Sequence, residues 1–152
     1  FGHFYLREDS SRPVIFVAGG TGFAPIKAIL EHAFAEAVTR PLHLYWGAAT
    51  RSGLYLDALA RTWESQHPNF HYTPALSEPL PEDKWSGAEG YVTNVVLRDY
   101  PALDAFDVYA SGPPILIQAA HRDFTARGLL AENFYADPFE FAQDSLPNGT
   151  TR

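Results

Sequence analysis

The chain has 152 residues, 46% hydrophobic and 19% charged, with a net charge of −7 from 11 basic and 18 acidic side chains. That length and composition suit one folded domain with a sizeable core, and the acidic balance argues against non-specific binding to nucleic acid or an anionic membrane. Cysteine is absent, which excludes disulfides, thiolate zinc sites and protein-held iron–sulfur clusters within these residues.

In chain order, the first apolar run is Val14–Ala18, read as a buried strand. It breaks at Gly19, Gly20, Thr21 and Gly22. Pro25 then suits the first turn of a helix, where its missing N–H costs nothing. Ile26, Ile29, Leu30, Ala33 and Phe34 recur at the helical period. Leu42–Trp46 reads as a second strand, followed by a helix carrying Leu54, Ala58, Leu59 and Trp63. Phe70–Leu76 reads as a third strand. Ser77–Gly90, rich in acidic residues, proline and glycine, reads as a surface loop. Val92, Val95 and Val96 mark another helix, and Asp107–Ser111 a fourth strand. Ile115–Arg127 is helical, with Gly128 placed as the residue just past its end. Phe134–Ala136 is a fifth short strand, and Gln143–Arg152 a polar tail.

Strand–helix alternation of this kind predicts an α/β fold: a doubly wound parallel sheet of about five strands with helices on both faces. With strand order 3-2-1-4-5, the first and fourth strands are neighbours and the loops after them face one crevice. One loop is Gly19–Gly22. The other is Ser111-Gly112-Pro113-Pro114, again small residues and then proline opening a helix. Glycines let a ligand approach the backbone, and free N–H groups at a helix start favour an anion, so phosphate or pyrophosphate is the expected guest. The P-loop pattern fails because Lys27 lies inside the helix. The dinucleotide pattern matches Gly20 and Gly22, but Pro25 takes the place of its third glycine. A glycine turn that only lets strand and helix pack is the alternative reading of the first loop alone.

Three segments in order, "VIFVAGGTGFAPIKAIL", "LHLYWGAATRSGLYL" and "DVYASGPPILI", resemble the nicotinamide-binding domain of the ferredoxin-NADP reductase superfamily, especially the bacterial oxygenase reductases and sugar-deoxygenation reductases. The match covers nearly all of Arg12–Phe139, giving an expected NAD(P)H-binding domain over 12–139. Residues 1–11, with "FGHFYL", resemble the end of a flavin-binding barrel and its linker; 140–152 form the tail. The chain starts with Phe1 and has no methionine, so a piece of a longer protein is expected. The resemblance implies that NADH binds this domain and gives a hydride to FAD held mainly by a barrel domain of the same parent. Electrons would then pass to a ferredoxin-like iron–sulfur domain, or to an oxygenase or dehydrase component.

The same resemblance implies residue roles. Gly19, Gly20, Thr21 and Gly22, with Pro25 behind them, would cradle the pyrophosphate; Thr21 is otherwise a simple helix cap. Gly47 and Ala48 would line the adenosine side, or form a plain turn. Ser111 stands where most of the family carries cysteine beside the nicotinamide, a departure that touches hydride transfer; its alternative is a small packing residue. Gly112 and Pro113 would give the nicotinamide room. Phe139 would approach the flavin, or be an aromatic that another domain covers. Glu78 stands where NADP-using relatives carry a basic residue, which favours NADH, since a carboxylate repels a 2′-phosphate and accepts hydrogen bonds from a ribose diol. Arg51 keeps NADPH open. A nucleotide-binding module that has lost turnover is the competing function. The six histidines are scattered, and His67 and His71 are separated by Pro68 and Asn69, so no metal site is expected. No signal peptide and no membrane-spanning apolar stretch is seen, and a cytoplasmic location is expected.

Overall fold

A computed structural model describes residues 4–138. Ten elements follow in order: β1 (Val14–Gly19), α1 (Phe23–Ala35), β2 (Leu42–Ala48), α2 (Asp57–Gln66), β3 (Phe70–Leu76), β4 (Ala88–Glu89), α3 (Val92–Asp99), β5 (Asp107–Gly112), α4 (Pro114–Thr125) and β6 (Phe134–Pro138). The strands form one sheet in the order β4-β3-β2-β1-β5-β6, and every pair is parallel. The five expected strands are present in the expected order. The sixth, β4, lies inside the segment expected to be only a loop, and it joins the edge beside β3.

Side-chain alternation sorts the core into two layers. On one face Val14, Phe16 and Ala18 of β1 pack with Leu42, Leu44 and Trp46 of β2 under α1 and α2. On the other, Ile15 and Val17 pack with Val108 and Ala110 of β5 under α3 and α4. Both faces of the central strands are covered, which is why they read as unbroken apolar runs rather than as alternating ones. Pro74 sits within β3 opposite Trp46. It has no N–H to give a second neighbour, and β4 accordingly pairs only with Ala75 and Leu76, beyond it.

Gly128 closes α4 as its sequence position suggests. Its N–H bonds to the Thr125 carbonyl at 3.1 Å and that of Leu129 to the Phe124 carbonyl at 3.0 Å. Gly128 has φ 99°, the left-handed cap that glycine adopts without a Cβ clash.

Candidate functional site

The carboxyl ends of β1, β2 and β5 are level: Gly19 is in register with Gly47, and Ala18 with Ser111. From β1 the chain builds outward in both directions, so this edge is a topological switch point, where open α/β sheets hold ligands. A crevice of about 820 Å³ opens there between the N-terminal ends of α3 and α4.

Six of the expected residues line it: Gly19, Gly20, Thr21, Gly47, Ala48 and Pro113. Gly20 has φ 55° and opens a tight 3-10 turn over Gly20–Gly22 that leads into α1. The turn is fixed from below. The Trp46 indole N–H donates to the Gly20 carbonyl at 2.9 Å, and the Phe23 ring stacks on Trp46 at 4.1 Å. A Cβ on Gly47 would stand 2.7 Å from that of Val92, and one on Gly19 would stand 2.8 Å from Leu116 Cδ2. The floor therefore lies close against both wall helices. Thr21 is exposed, and its side chain caps neither α1 nor the preceding turn, against the cap reading.

Other expected residues stand beside the crevice rather than in its wall. Gly22 is buried directly against the second loop: its Cβ would come within 2.6 Å of the Ser111 carbonyl carbon and 2.9 Å of Gly112 Cα. Gly112 makes room for a side chain instead: its Cβ would stand 2.7 Å from Leu116 Cδ2. Pro25 is half-buried in the first turn of α1. Ser111 is fully buried, and its hydroxyl has no hydrogen-bond partner. Glu78 is exposed one residue beyond Ser77, which does line the crevice; its N–H bonds to the Ala49 carbonyl at 2.8 Å. Arg51 is turned away, with its guanidinium bonded to the Asp83 carbonyl at 2.8 Å and lying over Trp85. Phe139 lies outside the described residues.

The second wall went unread in the sequence. It consists of Gly90–Asn94 at the start of α3 and of Ile115, Leu116 and Ala119 along α4. Among the described residues, Tyr91 and Ile115 are the most exposed large apolar side chains, at 69% and 77%. Gly90, with φ 118°, directly before Tyr91 was the available clue. No side chain caps α1, α3 or α4. Phe23, Asn94 and Leu116 already donate to backbone carbonyls, and Pro25 and Pro114 have no N–H. The donors left for a ligand are therefore few, at Val92 and Thr93 of α3 and Ile115 of α4, with the helix dipoles favouring an anion. The charged lining is one pair on α4, Arg122 Nε to Asp123 Oδ1 at 2.9 Å. The arrangement suits a long ligand with an anionic centre and apolar rings: a neutral glycine floor, amide-bearing helix starts and exposed apolar walls. Among the described residues no cluster of three or more metal-ligating side chains occurs, and no helix is long and apolar enough to cross a membrane.

The sequence model of the oxidoreductase NAD-binding domain matches residues 16–122. A CDP-6-deoxy-L-threo-D-glycero-4-hexulose-3-dehydrase reductase of Yersinia pestis is 42% identical over 138 residues. Reductase component 1 of a Comamonas terephthalate 1,2-dioxygenase is 38% identical over 141 residues. Each alignment covers 91% of this chain and 41% of the relative, so the chain spans less than half the length of these curated proteins. The crystal structure of the Amycolatopsis cytochrome P450 reductase GcoB superposes with a TM-score of 0.82 at 27% identity, covering 91% of this chain and 42% of that one.

Proposed function

The chain belongs to the oxidoreductase NAD-binding domain family, and from that premise we propose that it is the nicotinamide-binding part of a flavin-dependent electron-transfer reductase. NADH is the substrate of the crevice. The observation that carries this reading is the pairing of two small-residue loops, Gly19–Gly22 and Ser111–Pro113, at one switch point beneath uncapped helix starts.

Each residue does a simple job. Gly19, Gly20 and Thr21 present backbone and hydroxyl donors to the pyrophosphate. Gly22 holds the two loops in contact, and Pro25 starts the helix whose dipole faces the anion. Gly47 and Ala48 floor the adenosine side. Tyr91 and Ile115 offer apolar surface to the planar groups. Ser111, with its buried hydroxyl unused, belongs to the nicotinamide end, beside Pro113 of the crevice wall.

FAD supplies the hydride acceptor when bound; it is assigned to a barrel domain of the same parent, upstream of residue 12. The relatives are reductases of dehydrase and dioxygenase systems, which supports onward transfer to an iron–sulfur domain or to such a component. Orientation is the main contribution asked of these residues, so the absence of a nucleophile–base pair at the crevice is no obstacle.

Anaerobic mixing of the flavin-loaded parent with NADH tests the proposal. Bleaching of the flavin absorbance is expected. Nucleotide binding without bleaching would leave a silent binding module, and no binding in the crevice would refute both readings.

A further inference from the structure

The stretch that leads into β1 is tied to the domain at several points, one of them a buried guanidinium that reaches three of its residues. Arg40, in the turn between α1 and β2, donates from Nε to the Arg12 carbonyl at 2.8 Å and from Nη1 to the Arg7 carbonyl at 2.8 Å. Its Nη2 donates to Ser10 Oγ at 3.2 Å and to Asp107 Oδ2 at 2.8 Å. Ser10 Oγ in turn donates to the same carboxylate oxygen at 2.7 Å, and Arg12 Nε lies 3.0 Å from Asp107 Oδ1 as an ion pair. The side chains of Arg40 and Asp107 are 7% and 0% exposed.

Further up the same segment, the Arg7 N–H donates to the Tyr109 hydroxyl at 2.8 Å. Phe4 meets the Tyr109 ring at 6.0 Å, and Leu6 is buried in the core. Going backward from Arg12, the chain thus climbs the face of β5 from Asp107 to Tyr109. The next residue of that face is Ser111, about 7 Å further along the strand.

We propose that Arg40 is a positioning residue: its fork grips three points of the entering segment, at Arg7, Ser10 and Arg12, and so fixes the path of that segment into β1. This rests on the reading above, in which a flavin-binding domain lies upstream. A buried ion pair is a poor source of stability, because desolvation offsets the attraction. A rigid guanidinium with several in-plane donors, however, fixes geometry. Hydride transfer needs that geometry, since the reacting atoms must be held about 3–3.5 Å apart. Arg40 touches no part of the crevice, so it can govern the alignment of two domains without governing nucleotide affinity.

Two measurements test this, with Arg40→Met, Arg40→Lys and the gentler Tyr109→Phe, which keeps the ring and the ion pair. In the 152-residue chain, amides of the 7–12 segment should exchange with deuterium at least about tenfold faster in Arg40→Met and Arg40→Lys, with protection of α3 and α4 unchanged. In the flavin-loaded parent, the hydride-transfer rate should fall at least about tenfold while the Kd for NADH stays within about twofold. Tyr109→Phe should give a smaller shift in the same two readouts through the Arg7 bond alone, and Ser10→Ala, which removes one of the three points that Arg40 grips, decides the Arg40 role if the Arg40 variants fail to fold. Equal protection of the segment in native and variant chains overturns the clamp, and an unchanged transfer rate overturns the positioning role. If the unmodified parent is not reduced by NADH, the proposed function fails and, with it, the role in hydride alignment. The exchange experiment still decides whether Arg40 holds the segment.

Discussion

Replacing Gly22 with alanine should separate the two loops on which the site depends. The added methyl would stand 2.6 Å from the Ser111 carbonyl carbon and 2.9 Å from Gly112 Cα, and closer still to the Ser111 carbonyl oxygen. Ordinary contact begins near 3.4 Å, so the backbones must part by about 1 Å. All three obstacles are main-chain atoms of the buried strand β5, and none can rotate aside as a side-chain end can. Overpacking of this kind costs about 1–3 kcal/mol. For a chain of this size that lowers Tm by roughly 2–12 °C. The same shift moves Ser111 and Pro113 relative to Gly20, so nucleotide affinity should fall with stability. Gly20→Ala is the informative partner. Its Cβ meets nothing within 4 Å, but φ is 55°, so its cost is about 1–2 kcal/mol of backbone strain alone. Urea denaturation with NADH titration by calorimetry reads both quantities. A Gly22→Ala chain within about 0.5 kcal/mol of native stability would refute the packing argument.

Other outcomes follow from the same geometry. His43 is held between the Tyr100 hydroxyl and Thr73 Oγ1 at 2.9 and 2.7 Å, and burial, then His71, lower its pKa to about 4. The unfolded ring takes up its proton near pH 6.5 and the folded one does not. Stability should therefore be complete above about pH 6.5 and fall by about 1–2 kcal/mol by pH 5. Urea midpoints across that range should flatten in His43→Gln. Trp46→Phe deletes the donor to the Gly20 carbonyl; a loss of about 1–3 kcal/mol and weaker NADH binding are expected by the same titrations. Glu78→Arg places a cation at the exposed position after Ser77. The NADPH-to-NADH ratio of kcat/KM in the parent should rise at least about tenfold, one charge-assisted contact, and an unchanged ratio would remove Glu78 from cofactor selection. The 152-residue chain alone should bind NADH weakly and retain almost no flavin after purification; a stoichiometric yellow preparation would contradict the assignment of FAD to another domain.

The sheet was legible because its central strands are apolar on both faces and the helices between them keep their period. β4 was not, because two residues pairing beyond Pro74 carry no apolar run to announce them. The glycine loops were legible as a place, and the crevice lies there. Their glycines read alike in the sequence yet answer different demands. Gly20 supplies a left-handed turn in open space, Gly22 supplies room for a neighbouring backbone, and Gly47 supplies room for Val92. No local pattern separates these, since two of the three demands come from residues 45 or more positions away. The second wall and the Arg40–Asp107 pair were missed on the same physical ground. A charge in a turn and a charge at the start of a strand 67 residues later look like ordinary solvated groups until the sheet brings them to 2.8 Å. Local pattern thus locates the edge where a ligand sits. What gives that edge its shape is set by contacts between segments far apart in the chain.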